Sequence, residues 1–214
     1  PLVIISSLKK IIGKRGTIIM PFYMLEKNKK FIFDKRKFVF TNKIGSLSKK
    51  FCKEKKLIRS NCLIHNHIGL GPHAKILNFS KENISIGKGS DFDLMKKNNF
   101  KLLLLGCEPI QGATYLHHLE ALFKVPYRKW IRVNKKIIYK EKIKDISVKY
   151  FAKKNNKYNS NFNLVFNKLN YSKNVLNIEK VKYGRSYFVK LKNLHNFGLM
   201  LLKKNKHSFV IKNR

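Results

Sequence analysis

The stretch that most constrains the fold is Leu102-Leu-Leu-Leu-Gly-Cys-Glu-Pro-Ile-Gln-Gly-Ala-Thr-Tyr-Leu-His-His-Leu-Glu120. Its leucine run, between Lys101 and Gly106, is far too short for a membrane span and has the length of a buried strand. A Gly/Pro loop follows, and Thr114 stands where an N-cap starts a helix through His117, Glu120, Leu122 and Phe123. A strand that hands over to a helix in this way belongs to an alternating architecture.

Other segments of the first half alternate likewise. Leu8 to Ile12 is closed by Gly13, a helix-end signal, and Gly16-Thr-Ile-Ile-Met-Pro21 reads as a buried strand stopped by proline. A polar, basic connector over 26–50 ends in a short helix from Ser46, and Ser90 caps a helix through Asp93. Arg59 to Ala74, rich in His, Asn and Gly, reads as an irregular and functional segment. Beyond Pro126, strands at Lys135-Lys-Ile-Ile-Tyr139 and Ser186-Tyr-Phe-Val-Lys-Leu191 and a helix over Phe162–Leu169 sit among Asn/Lys-rich loops. The expected fold is α/β, with a central mixed sheet flanked by helices. A single domain over 1–214 with a more irregular C-terminal portion is expected.

Composition excludes less than its extremes suggest. The chain has 48 Lys and Arg against 11 Asp and Glu, a net charge of +37. Such a field attracts phosphates, nucleic acid and anionic surfaces. Yet only seven of the 48 are Arg, and the lysines are scattered through every segment. Nucleic-acid readers gather charge on one face and favour the planar guanidinium. Lys enriched beside Asn, Ile, Phe and Tyr fits compositional drift, so nucleic acid is not the expected partner. The three cysteines make no disulfide framework, and no basic-then-apolar leader opens the sequence. The expectation is a cytoplasmic protein with packed, free thiols and no membrane partner.

Chemistry is most legible around His117. Positions three apart share a helix face, so Glu120 can hold the imidazole's tautomer and sharpen its other nitrogen as a base. The plain alternative is a surface histidine beside an ordinary acidic residue of a first helical turn.

The same unit resembles the signature of the aminoglycoside 3-N-acetyltransferase family, a Leu-Leu-Leu-Gly strand leading to Thr-x-Leu-His-x-x-Glu, here Thr114 to Glu120. Further matches come in the same order: Gly16 to Pro21; Phe33-Asp34 and Thr41 with Gly45-Ser-Leu47; Arg59-Ser60 with Gly71 and Ala74; Gly87-Lys-Gly-Ser90; and Val125-Pro-Tyr-Arg128 after the helix. The set spans about residues 8 to 130, and the C-terminal third matches loosely. Where the family has His or Asn followed by Pro and then Ser, this chain has Cys62, Leu63 and Asn66. Residues 1–12 resemble the helix that follows the family's N-terminal strand, which this sequence is expected to lack.

The resemblance implies an acetyl-CoA-dependent N-acetyltransferase acting on an amine of an aminoglycoside or a related, even nucleotide-linked, amino sugar. It implies His117 as general base, Glu120 as its partner, Thr114 as an oxyanion donor, and Arg59, Ser60 and Thr114 as coenzyme-binding residues. Acetyl-CoA is then a co-substrate, the partner a small-molecule amine, and no metal is needed. Transfer is direct, because no Cys or Ser has a nucleophile's context, Cys107 included.

Two rival classes stand beside this reading: a basic nucleic-acid-binding module stacking bases on aromatics such as Tyr150-Phe151, and a degenerate relative that binds coenzyme without turnover. The cluster Cys62-Leu-Ile-His65-Asn-His67 has a His-x-His spacing that suits zinc, but not the paired spacing of structural zinc sites. His65, His67 and His73 are expected as loop histidines lining a cleft or standing in solvent. Gly87-Lys-Gly-Ser90 lacks the Walker spacing and reads as a turn before a helix.

Overall fold

The computed structural model describes residues 1–25, 32–41, 44–171 and 175–213. Of the connector expected over 26–50, residues 26–31 and 42–43 lie outside them. The chain divides into two compact units, one of residues 1–94 and 131–150, the other of 95–130 and 151–214.

The first unit opens with α1 (Leu2–Ile12), ended by Gly13 at φ 68, where a side chain would be strained. Then come β1 (Ile18–Pro21), β2 (Ile32–Phe33), α2 (Ser46–Phe51), β3 (Ile58–Arg59) and β4 (His67–Leu70). A 3-10 helix (Pro72–Phe79) and the start of α3 (Asp91–Lys97) follow. The segment expected to be irregular thus holds two strands, because antiparallel pairing of β1 and β3 with β4 recruits His67–Leu70 despite its weak alternation. Gly71, at φ 113, turns β4 into the 3-10 helix, and a side chain there would meet the Gly16 carbonyl and Thr17. One core gathers Ile5, Met20, Phe22, Met24, Ile44, Phe51 and Ile68, and another Phe33, Leu63, Ile64, Ile137 and Val148.

The second unit carries β5 (Lys101–Leu104), α4 (Pro109–Gly112) and α5 (Tyr115–Phe123). β6 (Arg128–Tyr139) and β7 (Lys142–Lys153) cross between the units and are joined by Lys140–Glu141, both at positive φ (46 and 65). β8 (Tyr158–Ser160), α6 (Phe162–Asn170), β9 (Leu176–Val181), β10 (Gly184–Lys190), α7 (Leu191–Lys204) and β11 (Val210–Lys212) complete it. Val165, Phe166, Leu169, Leu194 and Leu202 of α6 and α7 are fully buried, along with Leu116 and Leu119 of α5. Gly198 of α7 lies directly against Leu119 and Phe209, a closeness only glycine permits.

The α/β class holds, with the strands distributed over four small sheets: β1-β4-β3, β5-β10-β9, β11-β8 and β2-β6-β7. The pairing of β2 with β6 is parallel and the registered pairs of the first three sheets are antiparallel. The leucine strand is not buried as its composition suggested. Leu103 and its cross-strand partner Phe188 on the middle strand are both 40% exposed, so one face of this sheet is uncovered, and of β5 only Leu104 is buried. Among the described residues no helix is long and apolar enough to cross a membrane.

Candidate active site

Helix α5 begins after a bend, not at a side-chain cap. Thr114 occupies the N-cap position in helical geometry, and its hydroxyl makes no cap hydrogen bond, in contrast to the expected Thr cap. Capping instead serves the short α4, where the Glu108 carboxylate and the Gln111 side chain satisfy one another's backbone groups. The Thr114 N–H donates to the Gly112 carbonyl (2.9 Å), and its own carbonyl accepts from the His117 N–H (3.0 Å). The half-buried Thr114 hydroxyl therefore remains as this residue's donor near the start of α5.

His117 and Glu120 meet as the i, i+3 spacing requires. The imidazole Nδ1 is 2.6 Å from Glu120 Oε2, with the His117 side chain 25% exposed and Glu120 fully buried. Two further groups grip the carboxylate from the turn after α5. The Tyr127 hydroxyl donates to Oε1 (2.9 Å), and Arg128 Nε lies 2.8 Å from Oε2 as an ion pair whose angle does not make a hydrogen bond. Arg128 also donates to the Phe151 carbonyl (3.3 Å), which fixes the guanidinium at the head of β6. Burial, and then the Glu120 charge, push the Tyr127 hydroxyl well above its ordinary pKa, so it serves as a donor only.

This arrangement settles a tautomer. With Nδ1–H donated to the carboxylate, the Nε2 lone pair is the free basic site. Phe162 packs edge-on against the ring at 4.8 Å, limiting its rotation. His118, the next residue, is turned fully inward among Tyr115 and His195 of the α5–α7 contact. Tyr127 and Arg128 stood in the sequence only as part of the Val125-Pro-Tyr-Arg128 resemblance, with no role assigned to either side chain.

Arg59 and Ser60 belong to the first unit, whereas Thr114, His117 and Glu120 belong to the second. Arg59 is 3% exposed, and its guanidinium donates to Asn66 Oδ1 (3.0 Å) and to the carbonyls of Asp34 (2.8 Å) and Lys37 (2.5 Å). Its Cζ lies 4.2 Å from the Phe33 ring centroid, with Phe22 and Phe38 also around it. Burial lowers the Arg59 pKa to about 10. Ser60 is fully buried, and its Oγ accepts from the Cys62 and His67 N–H groups and from the Asn66 amide. Asn66 donates also to the Ser60 and Cys62 carbonyls, so it clamps the loop where the sequence departs from the family pattern.

The histidines expected to line a cleft or stand in solvent are a correction: His65 and His67 are buried. His67 Nδ1 is 2.7 Å from Asp91 Oδ2, and the two side chains are 4% and 1% exposed. Tyr23 and Phe92 pack edge-on against His67, while Tyr150 stacks on His65. Asp91, at the start of α3, was not singled out in the sequence. His73 remains exposed. Among the described residues no three His, Cys, Asp or Glu side chains are grouped to hold a metal ion. Burial raises the pKa of all three cysteines, Cys52 to about 11, the opposite of what a thiolate nucleophile requires.

A family model described as aminoglycoside 3-N-acetyltransferase matches residues 1–203. No match was found among curated proteins. Among solved structures, the YokD protein from Bacillus subtilis is similar with a TM-score of 0.80 and 20% identity, over 95% of this chain and 80% of that one. AAC-IIIb in a binary complex with CoASH has a TM-score of 0.79 at 18% identity, over 95% of this chain and 83% of that one. A His-to-Ala variant of aminoglycoside acetyltransferase AAC(3)-IVa in complex with a gentamicin has a TM-score of 0.76 at 21% identity, over 98% of this chain and 77% of that one.

Proposed function

The chain belongs to the aminoglycoside 3-N-acetyltransferase family and is an acyltransferase, and on that premise we propose that it moves an acetyl group from acetyl-CoA to an amine of an aminoglycoside or related amino sugar, with His117 as general base. The observation that carries this reading is an imidazole held through Nδ1 by a fully buried carboxylate, with the ring still a quarter exposed. That leaves Nε2 basic and reachable. The solved structures that are similar include one with CoASH and one with a gentamicin, which supports both halves of the substrate assignment.

An amine at neutral pH is mostly protonated and attacks a thioester only after losing a proton. That first proton goes to solvent, and Nε2 takes a second one from the neutral amine as the nitrogen bonds to the acetyl carbonyl carbon. The carbonyl electron pair moves onto oxygen, where the Thr114 hydroxyl is the proposed donor. As the tetrahedral centre collapses, the C–S bond breaks and the imidazolium returns the proton to the leaving sulfur. Glu120 stabilises the imidazolium, and Arg128 and Tyr127 keep Glu120 oriented in its dry site. No covalent enzyme intermediate is required, consistent with three unactivated thiols. Arg59 and Ser60, buried in loop contacts, act on the coenzyme by positioning the 59–67 segment.

The acceptor screen is the direct test. Free thiol release from acetyl-CoA is followed with aminoglycosides, simple amino sugars and nucleotide-linked amino sugars. Release that depends on one of these amines and is lost in His117→Ala is expected. Amine-independent release, or release that survives His117→Ala, would overturn the assignment.

A further inference from the structure

The sequence marks the turn after Ser160 only as the start of a helix. In the structure the first residues of α6 meet the site at two points, all within the second unit. Phe162, only 2% exposed, sets its ring 4.8 Å from the His117 imidazole at an interplanar angle of 66°. Asn163, the next residue, reaches α4, where its Oδ1 accepts from the Ile110 N–H at 2.9 Å.

Each contact supplies something otherwise missing. The approach of Nδ1 to Glu120 fixes one atom of the imidazole, and a ring held at one atom still pivots through the broad second torsion of histidine. Packing against Phe162 removes that pivot, so the two contacts together aim Nε2 in one direction. In α4 the N–H groups of the first turn need acceptors from outside the helix ladder. Pro109 has no N–H, Gln111 is served by Glu108, and Ile110 is served by Asn163. Asn163 thus completes the capping of the short helix that leads through Ala113 to Thr114 and α5. The turn is itself anchored. The Asn161 side chain accepts from the Leu164 N–H (3.3 Å), and the Asn161 N–H donates to the Phe209 carbonyl (2.7 Å). The Phe209 ring packs edge-on against Phe162, with 6.3 Å between centroids.

We propose that Phe162 and Asn163 are positioning residues for acyl transfer. Phe162 sets the direction of His117 Nε2, and Asn163 holds the α4–α5 corner that presents Thr114. Because they are neighbours on one anchored turn, the base and the proposed oxyanion donor keep a fixed relation to each other. Neither side chain touches the reacting atoms; each acts through the group it holds. The inference rests on the reading of His117 as general base.

Thiol release is measured at steady state for Phe162→Leu, Asn163→Leu and Leu202→Ala, the last a core cavity in α7 of the same unit. Phe162→Leu and Asn163→Leu should each lower kcat by about tenfold or more and leave the KM for acetyl-CoA near its native value, as expected for misplaced catalytic groups. Asn163→Asp keeps an acceptor oxygen and should restore most of the Asn163→Leu loss. Leu202→Ala should lower the melting temperature at least as much as either and leave kcat unchanged wherever it stays folded. A second readout needs no turnover. In nitrogen NMR of the histidine side chains, with His117 assigned through His117→Gln, the neutral native imidazole should be the Nδ1–H tautomer. Phe162→Leu should move it toward a mixture of tautomers, and Leu202→Ala should not. An unchanged tautomer in Phe162→Leu, or kcat losses no larger than in Leu202→Ala, would overturn the proposal. If His117→Ala transfers as fast as the native chain, the general-base reading falls, and the tautomer comparison still decides whether Phe162 orients the ring.

Discussion

Replacing Glu120 with Gln should do two separable things. Glu120 is fully buried and is the carboxylate partner of Arg128, itself only 8% exposed in its side chain. The substitution keeps shape but leaves a buried guanidinium uncompensated, at a cost of about 3–5 kcal/mol. For a chain of this size that corresponds to a fall of about 6–20 °C in melting temperature. It is more than the tenths of a kcal/mol a helix-dipole residue would contribute. The diagnostic comparison is the double variant Glu120→Gln/Arg128→Met, in which both charges are gone. Its stability should return to within about 1 kcal/mol of the native chain, because a buried ion pair removed as a unit is often nearly neutral. Transfer should not return, because the imidazolium still lacks its carboxylate. Chemical denaturation monitored by far-UV circular dichroism, alongside thiol release at saturating acetyl-CoA, reads both effects. A single variant as stable as the native chain, or a double variant no better than the single, would refute the buried-pair reasoning.

Other outcomes follow from the same geometry. His117→Ala should lower turnover by about 10²- to 10⁴-fold with little change in coenzyme affinity, while His118→Ala, inward and about 100° away around α5, should change stability more than rate; steady-state kinetics of the two variants checks this. Gly198→Ala should destabilise the chain by about 1–3 kcal/mol in urea, since the added methyl meets Leu119 and Phe209. Hydrogen bonds from Arg36 hold the Asp34 carboxyl below its ordinary pKa, so its contribution to stability is present above that ordinary value and fades as pH falls through the lowered one. Asp34→Asn should therefore be the less stable protein at neutral pH and converge with the native chain in acid, as read from melting curves at several pH values.

The sequence made the helix with its His117–Glu120 pair legible because a three-residue spacing on a helix is a local geometric fact. It also marked β1, α2, α6 and β10, whose patterns are strong. What it could not show was supplied by partners distant in the chain. Asp91 reaches His67 across 24 residues, which turns a histidine-rich loop into a buried cluster. β4 is a strand because β1 and β3 flank it. β5 looked like a core strand by composition alone, yet one face of its sheet is uncovered and leaves Leu103 and its partner Phe188 exposed. Arg59 and Ser60 were marked by resemblance, but their side chains are engaged with Asn66 and loop backbone, a role no short motif announces.

Two buried carboxylates in this chain each hold a histidine through Nδ1, and the comparison explains why only one of them suits the chemistry. Glu120 and Asp91 approach their imidazoles at 2.6 and 2.7 Å, so partner distance does not separate the pairs. Access does. His67 is sealed by Tyr23 and Phe92 and is 4% exposed, whereas a quarter of the His117 side chain remains open. The carboxylates differ as well. Glu120 is also bound by a tyrosine and an arginine, so its position does not depend on the imidazole alone. Asp91 has one oxygen on His67 and the other buried without a hydrogen-bond partner among the described residues. A general base must gain and lose a proton each turnover without its anchor following it. The frame around His117 leaves room for this cycle, and the packing around His67 does not. In a chain with 11 acids against 48 cations, the extra arginine on Glu120 is a further difference in favour of the proposal that His117, and not His67, is the base.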